Sequence, residues 1–244
     1  RFMGFPQYAG LLPSHPMHEA WMTEANRYSL WKWADNVSPG GAWREEISYQ
    51  QAGVPHLMDA ALSLRNSGAL DPAVLPYVRE QNQYNLACVC PPDANEGGLR
   101  GCEGTGNGGR VRAGFPVYAA NLLKDTDPQM AGEMMWLWQS FGTPTQTQYG
   151  LSPLAVDTTI APLAPRDVPA AFLPGYGATA RAHFGTPGEA FLMFRCGYNQ
   201  SHYDMDQGSF KFYALGEQLV PNSSCGYNSA EPANTQHGIL SFGD

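Results

Sequence analysis

One stretch of this 244-residue chain concentrates the side chains that move protons or hold cations: Arg195-Cys-Gly-Tyr-Asn-Gln-Ser-His202-Tyr-Asp204-Met-Asp206-Gln-Gly-Ser209-Phe. An imidazole titrates near neutral pH, so His202 suits general acid or base work. In an extended backbone His202 and Asp204, two positions apart, share one face. A loop with one histidine, two aspartates and an arginine, followed at once by a strand, can hold a cation or handle protons. The plainer alternative is a turn in which the aspartates cap the backbone and the histidine is incidental.

Other polar clusters carry less. His15 and His18 have i, i+3 spacing, but Pro16 disrupts the helical face between them, which favours a loop leading into a helix near a cleft. The run from Glu96 to Arg110 is rich in glycine, yet no Lys-Ser/Thr follows its glycines, so it is not a phosphate loop. It reads as a long flexible connection between helices, with Arg100 and Arg110 either solvated or within reach of an anionic sugar. Glu45-Glu46 reads as helix N-terminal charge complementing the dipole. There are five cysteines. Cys88-Val-Cys90 lacks the second C-x-x-C or histidine pair of a zinc site. Pairing of Cys90 or Cys88 with Cys102 across the Gly-rich loop is the preferred expectation, and Cys196 and Cys225 are candidates to staple neighbouring strands.

The elements that must position these residues change period midway. Val54, Leu57, Met58, Ala61, Leu62 and Arg65 follow i, i+3, i+4, i+7 and predict an amphipathic helix ended by Gly68. Asp71-Pro72 restarts a helix at its N-cap and first position, running to about Tyr84. Helices are predicted from Phe115 to Leu123 and from Asp127-Pro128 onward, the last with Met130, Met134, Leu137, Trp138 and Phe141 on one face. Residues 142–174 are rich in Pro, Thr and Ala. Beyond them the period becomes two, with Ala178, Ala180 and Ala182 alternating with Thr179 and Arg181, a strand from Glu189 to Cys196, and another from Ser209 to Leu215. The expected architecture is α+β and multidomain, with a helical portion over 1–150, a linker over 151–174 and an antiparallel β-sandwich beginning at 175–244.

Composition narrows the function. The formal charge is −8 with only 14 Lys+Arg, which argues against nucleic acid as a partner. No run of about 18 apolar residues occurs, so no membrane span is expected. At 43% hydrophobic residues the chain can bury a core. The 27 Gly, 20 Pro and 12% aromatic residues suit a loop-rich protein that packs sugar rings on flat side chains, although many β-sandwiches look similar. The absent initiator methionine and the sequons at Asn36, Asn199 and Asn222 favour an exported protein, secreted or periplasmic, of which this is a fragment.

The run Ser-His202-Tyr-Asp204-Met-Asp206-Gln-Gly-Ser209-Phe through Gly216 to Asn222 resembles the signature of heparinase II/III-like polysaccharide lyases: a His-x-His-x-Asp loop, a Ser-Phe strand, a Gly, then an Asp six residues on. Asn234-Thr-Gln-His237-Gly-Ile-Leu is similar to that family's later histidine strand. Upstream, Gly40-Gly-Ala-Trp43-Arg-Glu-Glu46-Ile-Ser-Tyr49-Gln is similar to its Asp-Gly-x-Trp-x-Glu-x-x-x-Tyr segment. The resemblance implies the C-terminal part of an incomplete (α/α) toroid followed by an antiparallel β-sandwich, with the site in the cleft between them. It also implies β-elimination on an acidic, uronate-containing polysaccharide such as alginate or a glycosaminoglycan. Tyr49 and His202 would form the acid/base pair, and Arg195, Tyr203 and Arg110 are candidate substrate contacts. No cofactor is required for this chemistry.

Two positions depart from the pattern. The family's second histidine is Asp204 here, and its later aspartate is Asn222. With His237 these residues could hold a structural divalent cation (Zn, Ca or Mn), although oxygen donors favour Ca or Mn over Zn; equally, hydrogen bonds alone could hold the site together. The replaced histidine keeps a second class of function open, a catalytically inactive carbohydrate-binding protein of the same fold. A glycoside hydrolase on an (α/α) toroid is a third, but Glu45, Glu46, Asp59 and Glu80 do not suggest its paired carboxylates.

Overall fold

The computed structural model describes residues 5–104, 109–147, 150–151, 155–197 and 207–220. Six helices come first: α1 (Phe5–Gly10), α2 (His18–Asn36), α3 (Gln50–Asn66), α4 (Leu75–Cys88), α5 (Pro116–Leu123) and α6 (Pro128–Ser140). They stand in two rows. α3 and α5 pack on each other, α2 backs α3, and α4 and α6 back α5. Burial explains the order. α5 is sunk along nearly its whole length, from Val117 to Leu123, and α3 buries Val54, Leu57, Met58, Ala61, Leu62 and Leu64. α2 buries only a stripe of Met22, Ala25, Ser29 and Trp33, leaving its outer side to solvent.

The helix starts follow local chemistry. Asp71 accepts a hydrogen bond from Ala73 N at 2.9 Å ahead of Pro72, and a short 3-10 turn leads into α4. Asp127 accepts from Met130 N at 3.1 Å ahead of Pro128. Each satisfies a backbone donor that the first helical turn leaves open. α3 begins at Gln50, ahead of the periodic run that opens at Val54, because a 3-10 turn at Ile47–Tyr49 feeds straight into it.

A small hairpin, β1 (Gln146–Thr147) with β2 (Gly150–Leu151), precedes the main sheet. That sheet is an antiparallel meander of β3 (Ala171–Leu173), β4 (Gly177–Ala182), β5 (Ala190–Arg195), β6 (Phe210–Ala214) and β7 (Glu217–Val220), adjacent in chain order. It begins inside the stretch expected to be linker, since β3 lies before residue 175. Leu215-Gly216, with φ of +59° and +80°, closes the β6–β7 hairpin as the two-residue turn whose twist matches the strands.

The two faces of the sheet differ in chemistry. Thr179, Phe191, Met193, Arg195, Lys211 and Tyr213 are buried on the inner face. The outer face is apolar, with Phe172, Ala178, Phe194 and Phe210 aligned in one cross-strand row and Ala180, Leu192, Phe212 and Val220 in another.

One hydrophobic cluster runs through helices and sheet, from Trp33, Leu57 and Leu122 to Tyr176, Phe191 and Tyr213. Ion pairs reinforce the seam. Arg100 gives Glu189 two hydrogen bonds, at 3.0 and 2.6 Å, and Arg181 binds the same carboxylate and the Val89 carbonyl. Tyr213 donates to Glu103 at 2.6 Å, with Arg110 and Lys211 at 3.4 and 3.8 Å from that carboxylate. Among the described residues no helix is long and apolar enough to cross a membrane.

Candidate functional site

Tyr49 ends the 3-10 turn and caps α3. The turn is held from both sides. Glu46, fully buried, accepts from Ser48 N at 2.8 Å and from the Ser48 hydroxyl. Behind it, Gln81 on α4 donates to Gln50 at 2.7 Å, both side chains buried. Tyr49 itself is half-buried. The Glu-x-Ser spacing was the sequence signal for this clamp, and it is more specific than the dipole role expected of Glu45-Glu46. Nothing in the sequence pairs Gln50 with Gln81, which lie 31 positions apart.

A run of tight backbone contacts leads from this turn towards the sheet. Gly41 (φ +86°) lies on α4 so closely that any side chain there would collide with the Glu80 carbonyl. A Cβ on its neighbour Gly40 would come within 2.9 Å of the Pro174 ring. Pro174 and Gly175 form the β3–β4 turn, and the Gly175 carbonyl leaves no room for a side chain at Gly197. Gly197 is the last described residue before the segment that carries His202. The described residues on either side of it are joined to each other. Arg195 N donates to Ser209 O and Gly208 N to Arg195 O, both at 2.8 Å, and Gln207 donates to the Gly197 carbonyl. These contacts make one strip of the loop ahead of the Tyr49 turn, the β3–β4 turn and the described residues that flank 198–206.

His202, Tyr203, Asp204, Asn222 and His237 lie outside the described residues. Among those described, no group of three or more His, Cys, Asp or Glu could hold a metal ion.

Arg195 and Arg110 correct the expectation of substrate contact. Arg195 is only 1% exposed; its Nη1 donates to the Tyr176 carbonyl at 2.8 Å, and its guanidinium lies 5.4 Å from the Tyr176 ring centroid. It ties the end of β5 to the β3–β4 turn. Arg110 bonds Asp93 at 2.8 Å and faces Glu103 and the Tyr213 ring, so it is neither a solvated charge nor a sugar contact. Arg100, saturated by Glu189, is equally committed.

The Gly-rich connection is therefore a structural one. Antiparallel bridges join Cys102 to Val89 and to Val111, and Asp93 to Leu99, so this segment folds as a ribbon across the seam wherever it is described. The expected disulfide is not formed: Cys88, Cys90 and Cys102 are buried free thiols, and Cys196 is an exposed one. Burial and the nearby Glu103 carboxylate push the Cys90 thiol up to about 12, so it stays protonated at neutral pH. Burial, with Cys90 and Glu103 close by, likewise pushes the Tyr213 phenol far up and keeps it a donor to Glu103. Glu189 moves the other way: burial opposes its charge, but hydrogen bonds from Arg100 and Gly185 N outweigh it and hold the carboxyl below its usual range. His15 stacks on Trp21 at 4.3 Å and His18 bonds the Ala9 carbonyl, both as packing groups near α1.

This α+β arrangement is similar to that of solved heparinase III and heparan sulfate lyase structures. The chain superimposes on heparinase III, the BT4657 gene product, with a TM-score of 0.67 and 14% identity over 96% of this chain and 33% of that one. It superimposes on the heparan sulfate lyase HepC from Pedobacter heparinus with a TM-score of 0.69 and 11% identity, covering 96% of this chain and 34% of that one. At such identities the likeness is one of fold, and the chain spans about a third of the length of these structures. No family model and no curated relative matches the sequence.

Proposed function

We propose that the protein is a polysaccharide lyase that cleaves a uronate-containing polymer by β-elimination, with Tyr49 and His202 as the acid/base pair. The observation that carries this reading is the strip from the Tyr49 turn through Pro174 and Gly175 to Gly197, at the root of the loop bearing His202. This supports a reading in which Tyr49, from the helical layer, and His202, a few positions beyond the described strand end, act on one sugar. The fold shared with heparinase III and a heparan sulfate lyase supports the same class and favours a glycosaminoglycan over alginate.

The chemistry explains why both groups are needed. The C5 proton of a uronate becomes acidic only when its carboxylate is neutralised by donors or positive charge. A base then removes that proton, the C4 leaving oxygen departs, and an acid protonates it, leaving a C4–C5 double bond. An unperturbed phenol has a pKa of about 10, so Tyr49 acts as base only where donors stabilise its phenolate. His202 is suited to exchange protons near neutral pH. Arg195, being buried, contributes by fixing the loop; Tyr203 remains a candidate sugar contact. Asp204, Asn222 and His237 offer two oxygens and one nitrogen, a donor set that fits calcium or manganese better than zinc in a structural role.

At the level of fold, the two rows of helices are read as an arc of an (α/α) toroid. The five-stranded sheet is read as one leaf of a sandwich, because its outer face carries the apolar rows that a second leaf would cover. Export to the periplasm or the cell exterior accords with a polymeric substrate.

Elimination creates a conjugated double bond and hydrolysis does not, so ultraviolet absorbance on a panel of uronate polymers separates the readings. The full-length protein should generate absorbance on at least one polymer, and Tyr49→Phe and His202→Ala should each lower the rate by roughly 10²–10⁴-fold. Wild-type rates in both variants would remove the site assignment. Binding without absorbance would favour the inactive carbohydrate-binding alternative, which the aspartate at 204 makes the specific competitor.

A further inference from the structure

A groove of about 1010 Å³ runs between α2 and α4, on the outer row of helices. Arg27, Trp31 and Arg44 line one side, and Tyr77 and Glu80 the other, with Pro39 at the end that leads into the Gly40–Gly41 loop. Trp31 is 53% exposed, an unusual state for the largest apolar side chain, and its ring is held by Lys32 Nζ at 4.5 Å and by Tyr28 at 5.5 Å. The indole is therefore preorganised as a flat platform.

Charge distinguishes this groove from its neighbours. The grooves between α4 and α6 carry Asp127, Glu133 and Asp167 against the single cation Arg79. The α2–α4 groove is lined by two arginines and Glu80, with Lys32 beside the tryptophan and Glu24 and Asp35 beside the arginines, in a chain whose formal charge is −8. Neither arginine is committed to the fold. Arg27 pairs with Glu24 on the open surface of α2, and Arg44 lies 3.6 Å from Asp35 with both side chains well exposed. Such exposed pairs contribute little to stability and leave the guanidinium open to a better-placed anion. The contrast with Arg100, Arg110 and Arg195, all locked inside, is direct.

We infer that this groove is a second saccharide site: a sugar ring of an acidic polysaccharide stacks on Trp31 while its carboxylate or sulfate groups meet Arg27 and Arg44. The inference rests on the reading of the protein as acting on such a polymer. It deepens that reading by giving the chain a hold on the polymer outside the Tyr49 strip. The groove ends at the loop whose Gly41 packs on α4 beside Gln81, the residue that bonds Gln50 next to Tyr49, so the occupant inferred is a long polymer that continues towards that turn.

The test uses the full-length protein with two probes, a long heparan sulfate fraction and a heparan sulfate tetrasaccharide. Binding of the long fraction is measured in a Tyr49→Phe background and elimination in the wild-type background. Trp31→Ala should weaken binding of the long fraction roughly ten-fold and leave elimination of the tetrasaccharide unchanged, as expected for loss of one aromatic platform. Arg27→Gln should weaken the long fraction in the same direction without removing any packing. Unchanged affinity in both variants would overturn the groove, whatever the catalytic result. If no uronate polymer is eliminated by the wild type but long-fraction binding still depends on Trp31, the catalytic reading fails and the groove stands.

Discussion

The interior of the helical layer and its seam with the sheet solve the same problem with different physics. Around α3 and α5 the contacts are aliphatic, built from Leu57, Met58, Leu62, Leu122 and Met134. Along the seam, buried carboxylates gather partners from both layers: Glu189 meets Arg100 across the seam and Arg181 within the sheet, and Glu103 meets Lys211 and Tyr213 across it and Arg110 on its own side. Apolar packing is tolerant of exchange, whereas a buried ion pair penalises every wrong register with an unpaired charge. A seam that must hold Gly40 against Pro174, and so the helical layer in register with the sheet, gains from that intolerance.

The largest effect should come from breaking the seam. Glu189 is 3% exposed and serves two arginines at once, so Glu189→Ala leaves two buried cations without their carboxylate. A loss of about 3–5 kcal/mol is expected in urea denaturation. Because the folded-state pKa of Glu189 lies below its unfolded value near ~4.3, its contribution is fully present above that pH and is lost as pH falls through the folded pKa. The wild type should therefore lose stability below about pH 4.3 more steeply than the variant. Parallel acid curves would show that the pair is not what holds the seam.

The matching change in the apolar interior is Met58→Ala. Met58 is completely buried, and the expected cost is about 2–4 kcal/mol from lost transfer energy and the cavity left behind. Unlike the seam variant, it should shift stability by the same amount at every pH between 3 and 8, since no charge is disturbed (an order-of-magnitude window). A smaller perturbation tests the sequence-encoded starts. Asp127→Ala removes the cap on Met130 N and an ion pair to the exposed Arg79 at 3.0 Å, for about 1 kcal/mol.

These two regions were not equally legible. Helix periods and N-caps are local rules, so α3, α4, α5 and α6 could be read from spacing and from Asp71-Pro72 and Asp127-Pro128. The strands were legible by their alternation, but their orientation was not. In β6 the phenylalanines turn outward and Lys211 and Tyr213 turn in, because Glu103, over a hundred positions earlier, supplies the partner. For the same reason Arg100, Arg110 and Arg195 looked available to a substrate and are instead spoken for inside the molecule. Tyr49 was singled out only through the resemblance of its segment to a family motif. What fixes its turn, Gln81 against Gln50 and the Glu80 carbonyl against Gly41, is long-range packing that no window of sequence contains.

The smallest expected effect bears on the outer side of the sheet. Leu215 adopts φ +59° in a two-residue turn and is 87% exposed, a poor choice on both counts. A left-handed leucine costs roughly 1 kcal/mol, and asparagine takes that conformation readily. Leu215→Asn should thus stabilise the protein by about 0.5–1 kcal/mol, read as a small rise in the urea midpoint. The prediction holds only while the leucine faces water. If further chain of the full-length protein covers the apolar rows of Phe194, Phe210 and Phe212 and reaches this turn, burial of Leu215 would be worth about 1.5–3 kcal/mol and the sign would reverse. The same substitution therefore separates a turn that is merely strained from one whose leucine belongs to a second apolar interface. A destabilised Leu215→Asn in the full-length protein, beside a stabilised one in the 244-residue chain, would locate that interface on the outer face.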